Sequence, residues 1–205
     1  MKAVVLCHGG LASAVLALLL GKQDQGRSQG DLPTLPSTLR EQWGLAPEGY
    51  TLHLLTIRDG QPLSPQRRHA ARLIAALLDT SSEVLDPAAL TWLPAPVSAS
   101  PVARLFTLAG VVAVRQEAAV IAAGLHTSEP PIVARFNQIA ERMGKVTELP
   151  RIRLLTPLAE HSLADIIALG TQLGVPLEST WSCSARFALP CGRCASCVAR
   201  QAAFR

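Results

Sequence analysis

Four of the five cysteines fall within one short stretch near the C-terminus, in the spacing Cys183-x7-Cys191-x2-Cys194-x2-Cys197. Two consecutive C-x-x-C steps let one turn present several sulfurs to a single ion, and Gly192 between them relieves the sharp backbone. Four soft thiolates suit a closed tetrahedral zinc site of the structural kind. Disulfides and a thioredoxin-like redox pair are the rival readings. A redox pair needs one C-x-x-C at a helix start, whereas here three cysteines run in series with a fourth apart. The spacing therefore predicts Zn2+ held by Cys183, Cys191, Cys194 and Cys197, tying the segment at Ser182 onto a terminal helix, Ala195 to Phe204.

A second chemical feature sits at the other end. The apolar run Ala3 to Leu6 leads into Cys7, His8, Gly9, Gly10, Leu11, Ala12 and Ser13, after which Leu11 to Leu20 reads as an Ala/Leu helix. A strand, a Gly-Gly turn and a helix start place backbone amides and a hydroxyl where phosphate binds. The stretch matches neither the G-x-G-x-x-G fingerprint nor the G-x-x-x-x-G-K-[ST] loop, and a Gly-Gly turn can also be only a tight corner. Cys7 and His8 are neighbours on a strand and point to opposite sides, so Cys7 reads as a small buried residue rather than a nucleophile. His53 and His69 read as structural or exposed. His126 and His161 fall in loops after strands, on the side where an open α/β sheet binds ligands. Trp92 and Trp181 read as packing residues, with Trp181 also placed to wall a base-stacking pocket.

The elements that must hold these groups alternate along the chain. Strands are expected at Ala3–Leu6, Thr51–Ile57, Ala119–Ala123 and Ile152–Leu155. Helices are expected at Leu11–Leu20, Gln66–Leu78, Val102–Ala118, Ile132–Met143 and, opened by a capping box at Ser162 and Asp165, on to Leu173. Strand and helix in alternation argue for an α/β domain, a parallel sheet with helices on its faces. Residues 21–49, rich in Gly, Gln, Ser and Pro, read as a flexible insertion, and 86–101 as a Pro-rich loop. The organisation expected is thus one domain over 1–180 and a metal-binding tail over 181–205.

At 205 residues, 49% hydrophobic and 17% charged, the chain is not a disordered one. The polar Cys7-His8-Gly9-Gly10 interrupts what would be a secretory h-region, and Arg115, Gln116 and Glu117 break the apolar run Leu105–Leu125. A cytoplasmic protein without a membrane span is therefore expected. The formal charge of +4 is mild, and residues 181–205 account for all of it with four arginines and no acid. Four thiolates around a divalent ion would offset half of that, so a nucleic-acid backbone is not the expected partner. The apolar helix Val102–Val114 offers a face to a second copy or a protein partner.

Taken together, the two ends resemble the 7-cyano-7-deazaguanine synthase family of the PP-loop ATP pyrophosphatase superfamily. The resemblance rests on Val4-Val5-Leu6-Cys7-His8-Gly9-Gly10-Leu11-Ala12-Ser13, Ala119-Val120-Ile121 with Gly124, Thr156-Pro157-Leu158, Thr180-Trp181-Ser182-Cys183, Cys191-Gly192-Arg193-Cys194-Ala195-Ser196-Cys197, Arg200 and Ala203-Phe204. It implies a PP-loop fold, a zinc tail, and chemistry in which ATP and Mg2+ activate the carboxylate of a 7-carboxy-7-deazaguanine so that ammonia can convert it to an amide and then a nitrile, a precursor of queuosine. The chain departs from that pattern on the ATP and substrate side. His8 stands where the family has serine and Ala12 where it has aspartate. Ala159-Glu160-His161-Ser162-Leu163 lacks the phosphate lysine. The family's P-G-R-N element corresponds to Pro101-Val102-Ala103-Arg104-Leu105, and its deazaguanine loop to His126-Thr127-Ser128-Glu129-Pro130-Pro131. A protonated His8 can donate to phosphate, and Arg58, Arg67 and Arg104 can bind it bidentately. The simpler reading packs His8 at the strand end and leaves the arginines on a solvated face. Two function classes follow: a divergent ATP-dependent ligase acting on a nucleotide or deazapurine acid, or a catalytically inactive relative serving as a nucleotide-binding, scaffold or partner-binding zinc protein.

Overall fold

Four consecutive residues of β1 (Lys2–Leu6), Ala3 to Leu6, are buried, which only a strand covered on both faces can satisfy. The computed structural model describes residues 1–21, 37–58, 65–86, 101–125, 152–185 and 188–205. Within them β1 is flanked by β2 (Thr51–Ile57) and β4 (Val120–Ala123), with β3 (Ser81–Leu85) and β5 (Arg153–Leu155) outside, in the order β3-β2-β1-β4-β5. Every pairing is parallel; the register sets Val4 against His53 on one side and against Ile121 on the other.

Alternation along β1 divides the core into two layers. Ala3, Val5 and Cys7 join α1 (Leu11–Leu20), α3 (Pro65–Leu77) and α5 (Leu163–Gln172) in one apolar cluster. Val4 and Leu6 join Phe106, Leu108, Ala109 and Val112 of α4 (Pro101–Arg115) in the other. All ten residues of α1 are buried, so the helix that follows the glycine turn is fixed from every side. The short helix Ala195–Ala203, α6, closes the chain. A parallel sheet with helices on its faces is the architecture expected from the sequence, here with five strands.

Two features differ from the sequence expectation. Of the stretch read as a flexible insertion, residues 37–49 are described and partly buried: α2 (Ser37–Gln42) carries Arg40, which is 1% exposed, and Leu45 beyond it is 4% exposed. Its guanidinium donates to the carbonyls of Leu19, Gly21 and Pro47 at 2.6, 3.0 and 3.1 Å, neutralising the negative end of α1. Residues 22–36 of that stretch, and the helix expected over 132–143, lie outside the described residues. The edge strand β3 had no counterpart in the sequence reading, because Ser81-Ser-Glu-Val-Leu85 is mostly exposed and lacks a strand's apolar signature.

Candidate functional site

The strand order reverses at β1: the chain runs outward through β2 and β3, then returns to lay β4 on the other side. Ligands bind in such sheets outside the carboxyl ends of the two strands at this switch point. A cavity of about 440 Å³ lies there. His8, Gly10, Leu11, Ala12 and Ser13 line it from the glycine turn, and Ala123, Gly124 and Leu125 from the end of β4.

Glycines set how closely these pieces approach. Gly9 has φ +72°, and a Cβ there would lie 2.3 Å from the Arg67 carbonyl oxygen. A Cβ at Gly124 would lie 2.7–2.8 Å from the backbone of Ala12 and Ser13. The end of β4 is thus pressed onto the first turn of α1, an approach that any other residue would block. Gly10 is the N-cap of α1 and no side chain caps this helix end. Its first-turn N–H groups, which lack intrahelical acceptors, stay beside the cavity with the positive end of the helix dipole. The Ser13 hydroxyl donates to Gly10 O at 2.9 Å.

Cys7 lies behind this turn, fully buried, with Thr56 donating its hydroxyl to the Cys7 carbonyl. Burial pushes its thiol above the ordinary range, opposed by the Gly9 amide and the Ser13 side chain, so it is a packing residue. Among the charged candidates, Arg67 lines the cavity and donates to the Cys183 carbonyl at 3.4 Å. Arg58 does not line it and pairs with Asp86 at 2.8 Å. His161, expected at a ligand pocket, instead packs edge-on to Trp43 with ring centroids 5.5 Å apart, on the α2 side of the sheet. Its amide donates to Leu158 O at 3.1 Å, and it is not among the described residues that line the cavity. Arg104 lies in α4, but its side chain, like all of His126, lies outside the described residues.

Residues beside the four-cysteine cluster, Trp181 and Ser182 before it and Ala195, Ser196 and Ala199 within it and after it, form the far wall. The sulfurs of Cys183, Cys191, Cys194 and Cys197 all lie within 4.8 Å of one another and could hold a metal ion. Backbone amides of Ala185 and Cys191 donate to Cys183 Sγ, and that of Cys194 to Cys191 Sγ, each at 3.4 Å. The Cys194 thiol is drawn down to about 5, first by the Ser184 amide, and Cys191 is also lowered, first by the Arg193 amide. Cys197 is pushed up to about 12 by burial. Amides aimed at sulfur favour thiolates, the form that binds metal.

Trp181 and Ser182 lead into Cys183 and line the cavity, as do Ala195, Ser196 and Ala199 of α6. Trp181 Nε1 is buried without a hydrogen-bond partner. Arg200, half-buried, donates to Thr180 Oγ1, Ser182 Oγ and Leu177 O at 2.7, 3.2 and 2.6 Å. Sequence reading noted Arg200 only as part of a motif; its position one turn after Cys197 was the signal that it shares the metal helix. Gly124, likewise quoted only as a strand neighbour, proves to be the residue on which β4 and α1 meet.

Comparison with known proteins places this geometry in a family. Residues 101–205 match the family described as "Queuosine biosynthesis protein QueC". The chain is 30% identical over 214 residues to the 7-cyano-7-deazaguanine synthase of Paracoccus denitrificans (strain Pd 1222), an alignment covering all of this chain and 88% of that protein. It is 28% identical over 218 residues to the enzyme of the same name from Rhizobium etli, covering 100% of this chain and 87% of that one. Among solved structures, the U34-tRNA thiolase NcsA from Methanococcus maripaludis, with its 4Fe-4S cluster, superimposes with a TM-score of 0.50 at 16% identity. That match covers 99% of this chain and 64% of the thiolase, and it is a likeness of fold. Full-length similarity, the parallel sheet, the glycine turn and the clustered thiols agree: this chain belongs to the 7-cyano-7-deazaguanine synthase family of queuosine biosynthesis.

Proposed function

We propose that this chain is a divergent member of its family, working in 7-deazapurine metabolism. Its cavity binds an anionic nucleotide or a carboxylated deazapurine at the α1 N-terminus, without the magnesium-assisted ATP activation the family resemblance implies. The observation that carries this reading is Ala12. It lines the cavity in the first turn of α1, where the family pattern has aspartate, and offers a methyl group in place of a hard oxygen. Among the described residues lining the cavity there is no carboxylate, so the donor set does not fit magnesium. What remains is an uncapped helix end, Ser13, His8 and Arg67 around an apolar space walled by Leu6, Leu11, Leu105, Leu125, Leu163 and Trp181. Such a site suits a flat heteroaromatic ring with an anionic group at the helix end.

The tail holds structural zinc in this reading. A tetrahedral zinc with Zn–S of about 2.3 Å sets its sulfurs about 3.8 Å apart, which the cluster within 4.8 Å accommodates. A cubane cluster spreads its irons over corners and would hold the thiolates wider. Four reduced cysteines in one site suit the cytoplasm, and among the described residues no helix is long and apolar enough to cross a membrane.

The second reading, an inactive zinc protein that binds a partner, is favoured by Leu189, Val198 and Phe204, large apolar side chains exposed on the tail. The test is His8→Ser combined with Ala12→Asp. On the divergent reading, the double variant gains magnesium-dependent ATP affinity of about tenfold or more, as one restored charge-assisted ligand would give. No gain would shift the reading to the partner-binding protein.

A further inference from the structure

The cysteine tail and the ligand cavity share a wall. Ala195, Ser196 and Ala199 line the cavity from the same turns of α6 that carry Cys194 and Cys197. Trp181 and Ser182 line it from the segment that leads to Cys183. One side chain joins these two pieces. Arg200 leaves α6 and forks onto Thr180 Oγ1, Ser182 Oγ and Leu177 O, while its guanidinium carbon stands 5.2 Å from the centroid of the Phe204 ring. The contacts continue to the glycine turn: the Trp181 N–H donates to Gly9 O at 2.8 Å, and Arg67 of the cavity donates to the Cys183 carbonyl.

We infer that Arg200 is a positioning residue that locks the metal helix onto Thr180–Ser182, so that the tail becomes a wall of the ligand cavity and the metal centre governs ligand binding. A staple remote from the site would need no such fork. The three acceptors, two hydroxyls and one carbonyl, match the planar guanidinium fork, whereas a lysine ends in a compact point charge that does not reproduce its spread of donors. Thr180 is itself 5% exposed and spends its own hydroxyl proton on Leu177 O, so loss of Arg200 leaves the buried Thr180 oxygen without the donor it accepts from. The released segment carries both Trp181, which walls the cavity, and the amide that holds Gly9.

The inference deepens the ligand reading above, and its experiment keeps the two separable. Full-length, zinc-loaded wild type, Arg200→Ala and Arg200→Lys are compared for metal content, segment-resolved amide exchange, and calorimetric binding of ATP and of 7-carboxy-7-deazaguanine. In Arg200→Ala the zinc stays, exchange over 180–182 and 9–13 quickens about tenfold or more, and β2 and β3 are unchanged. Binding of whichever probe wild type takes weakens about tenfold or more, free guanidinium restores part of it, and Arg200→Lys falls between. Quickened exchange confined to 195–205, or wild-type binding in Arg200→Ala, overturns the inference. Should Arg200→Ala lose zinc or fail to fold, Thr180→Val with Ser182→Ala keeps Arg200 and cuts two of its bonds. That variant must show the same exchange pattern with zinc retained, and unchanged exchange overturns the inference. If wild type binds neither probe, the ligand reading fails while the exchange data still decide the role of Arg200.

Discussion

Ala12 and Gly124 show how much of the site is set by single side chains, or by their absence. Ala12 sets a methyl group in the first turn of α1 beside the cavity, while Gly124 lets the end of β4 lie against that turn. Gly124→Ala would force its Cβ within 2.7–2.8 Å of that backbone. Because backbone cannot swing aside as a side chain tip does, the expected cost is about 1–3 kcal/mol, read as a lower denaturation midpoint. Ligand binding in the cavity should fall with it. A Gly124→Ala variant as stable as wild type would show that β4 and α1 are further apart than described. The burial of Cys7 was readable from the sequence, because it continues the alternation that puts Ala3 and Val5 in the same apolar cluster. The role of Gly124 was not, since a close approach between residues far apart in the chain leaves no mark on neighbouring residues.

At the scale of elements, α5 illustrates a device that is wholly local and therefore legible. The Ser162 hydroxyl accepts from the Asp165 amide at 3.1 Å, and the Asp165 carboxylate accepts from the Ser162 amide at 3.0 Å. The Ser162 hydroxyl, which donates to Asp165 Oδ2 at 2.6 Å, and after it the Ser162 amide hold the Asp165 carboxyl below its ordinary 3.8. A carboxyl whose folded pKa is depressed adds stability above its unfolded value and loses it as pH falls through the lower, folded one. A carboxyl-carbon NMR titration should therefore give a midpoint below 3.8, and Ser162→Ala should return it toward the unfolded value. A midpoint at or above 3.8 would mean that the box does not form in solution. The strands β1, β2 and β4 were legible for a similar reason, as apolar runs that a doubly covered sheet requires. β3 was not, because an edge strand need not be apolar. Its ladder is supported instead by His53, whose Nδ1 lies 2.8 Å from Ser81 Oγ and Nε2 3.2 Å from Glu83 Oε2, and by Arg115 on Glu83. Nor was the packing of α2 legible: Arg40 in a polar stretch gives no hint that it caps a helix ending twenty residues earlier.

For the whole molecule, the sheet and the tail are separate sources of order that meet at the cavity. Neither apolar cluster of the sheet includes Cys183 or Cys197, although both are buried. Removing the metal, by chelation or by Cys194→Ser with Cys197→Ser, should leave the far-ultraviolet circular dichroism of the α/β domain largely intact while abolishing ligand binding. Global unfolding on chelation would show instead that the tail carries the fold. The cysteine spacing announced this site because the ligands lie close in sequence. The cavity itself joins the glycine turn, the end of β4 and the tail, so only the folded chain displays it. The most direct measurement for the central claim is calorimetry on the zinc-loaded protein with ATP and with 7-carboxy-7-deazaguanine, each with and without magnesium. Binding of at least one of them, with an affinity indifferent to magnesium and no release of AMP and pyrophosphate, is the result expected of a site in which Ala12 replaces the metal ligand. ATP binding tightened by magnesium, with AMP and pyrophosphate released in the presence of the carboxylated deazapurine, would contradict it.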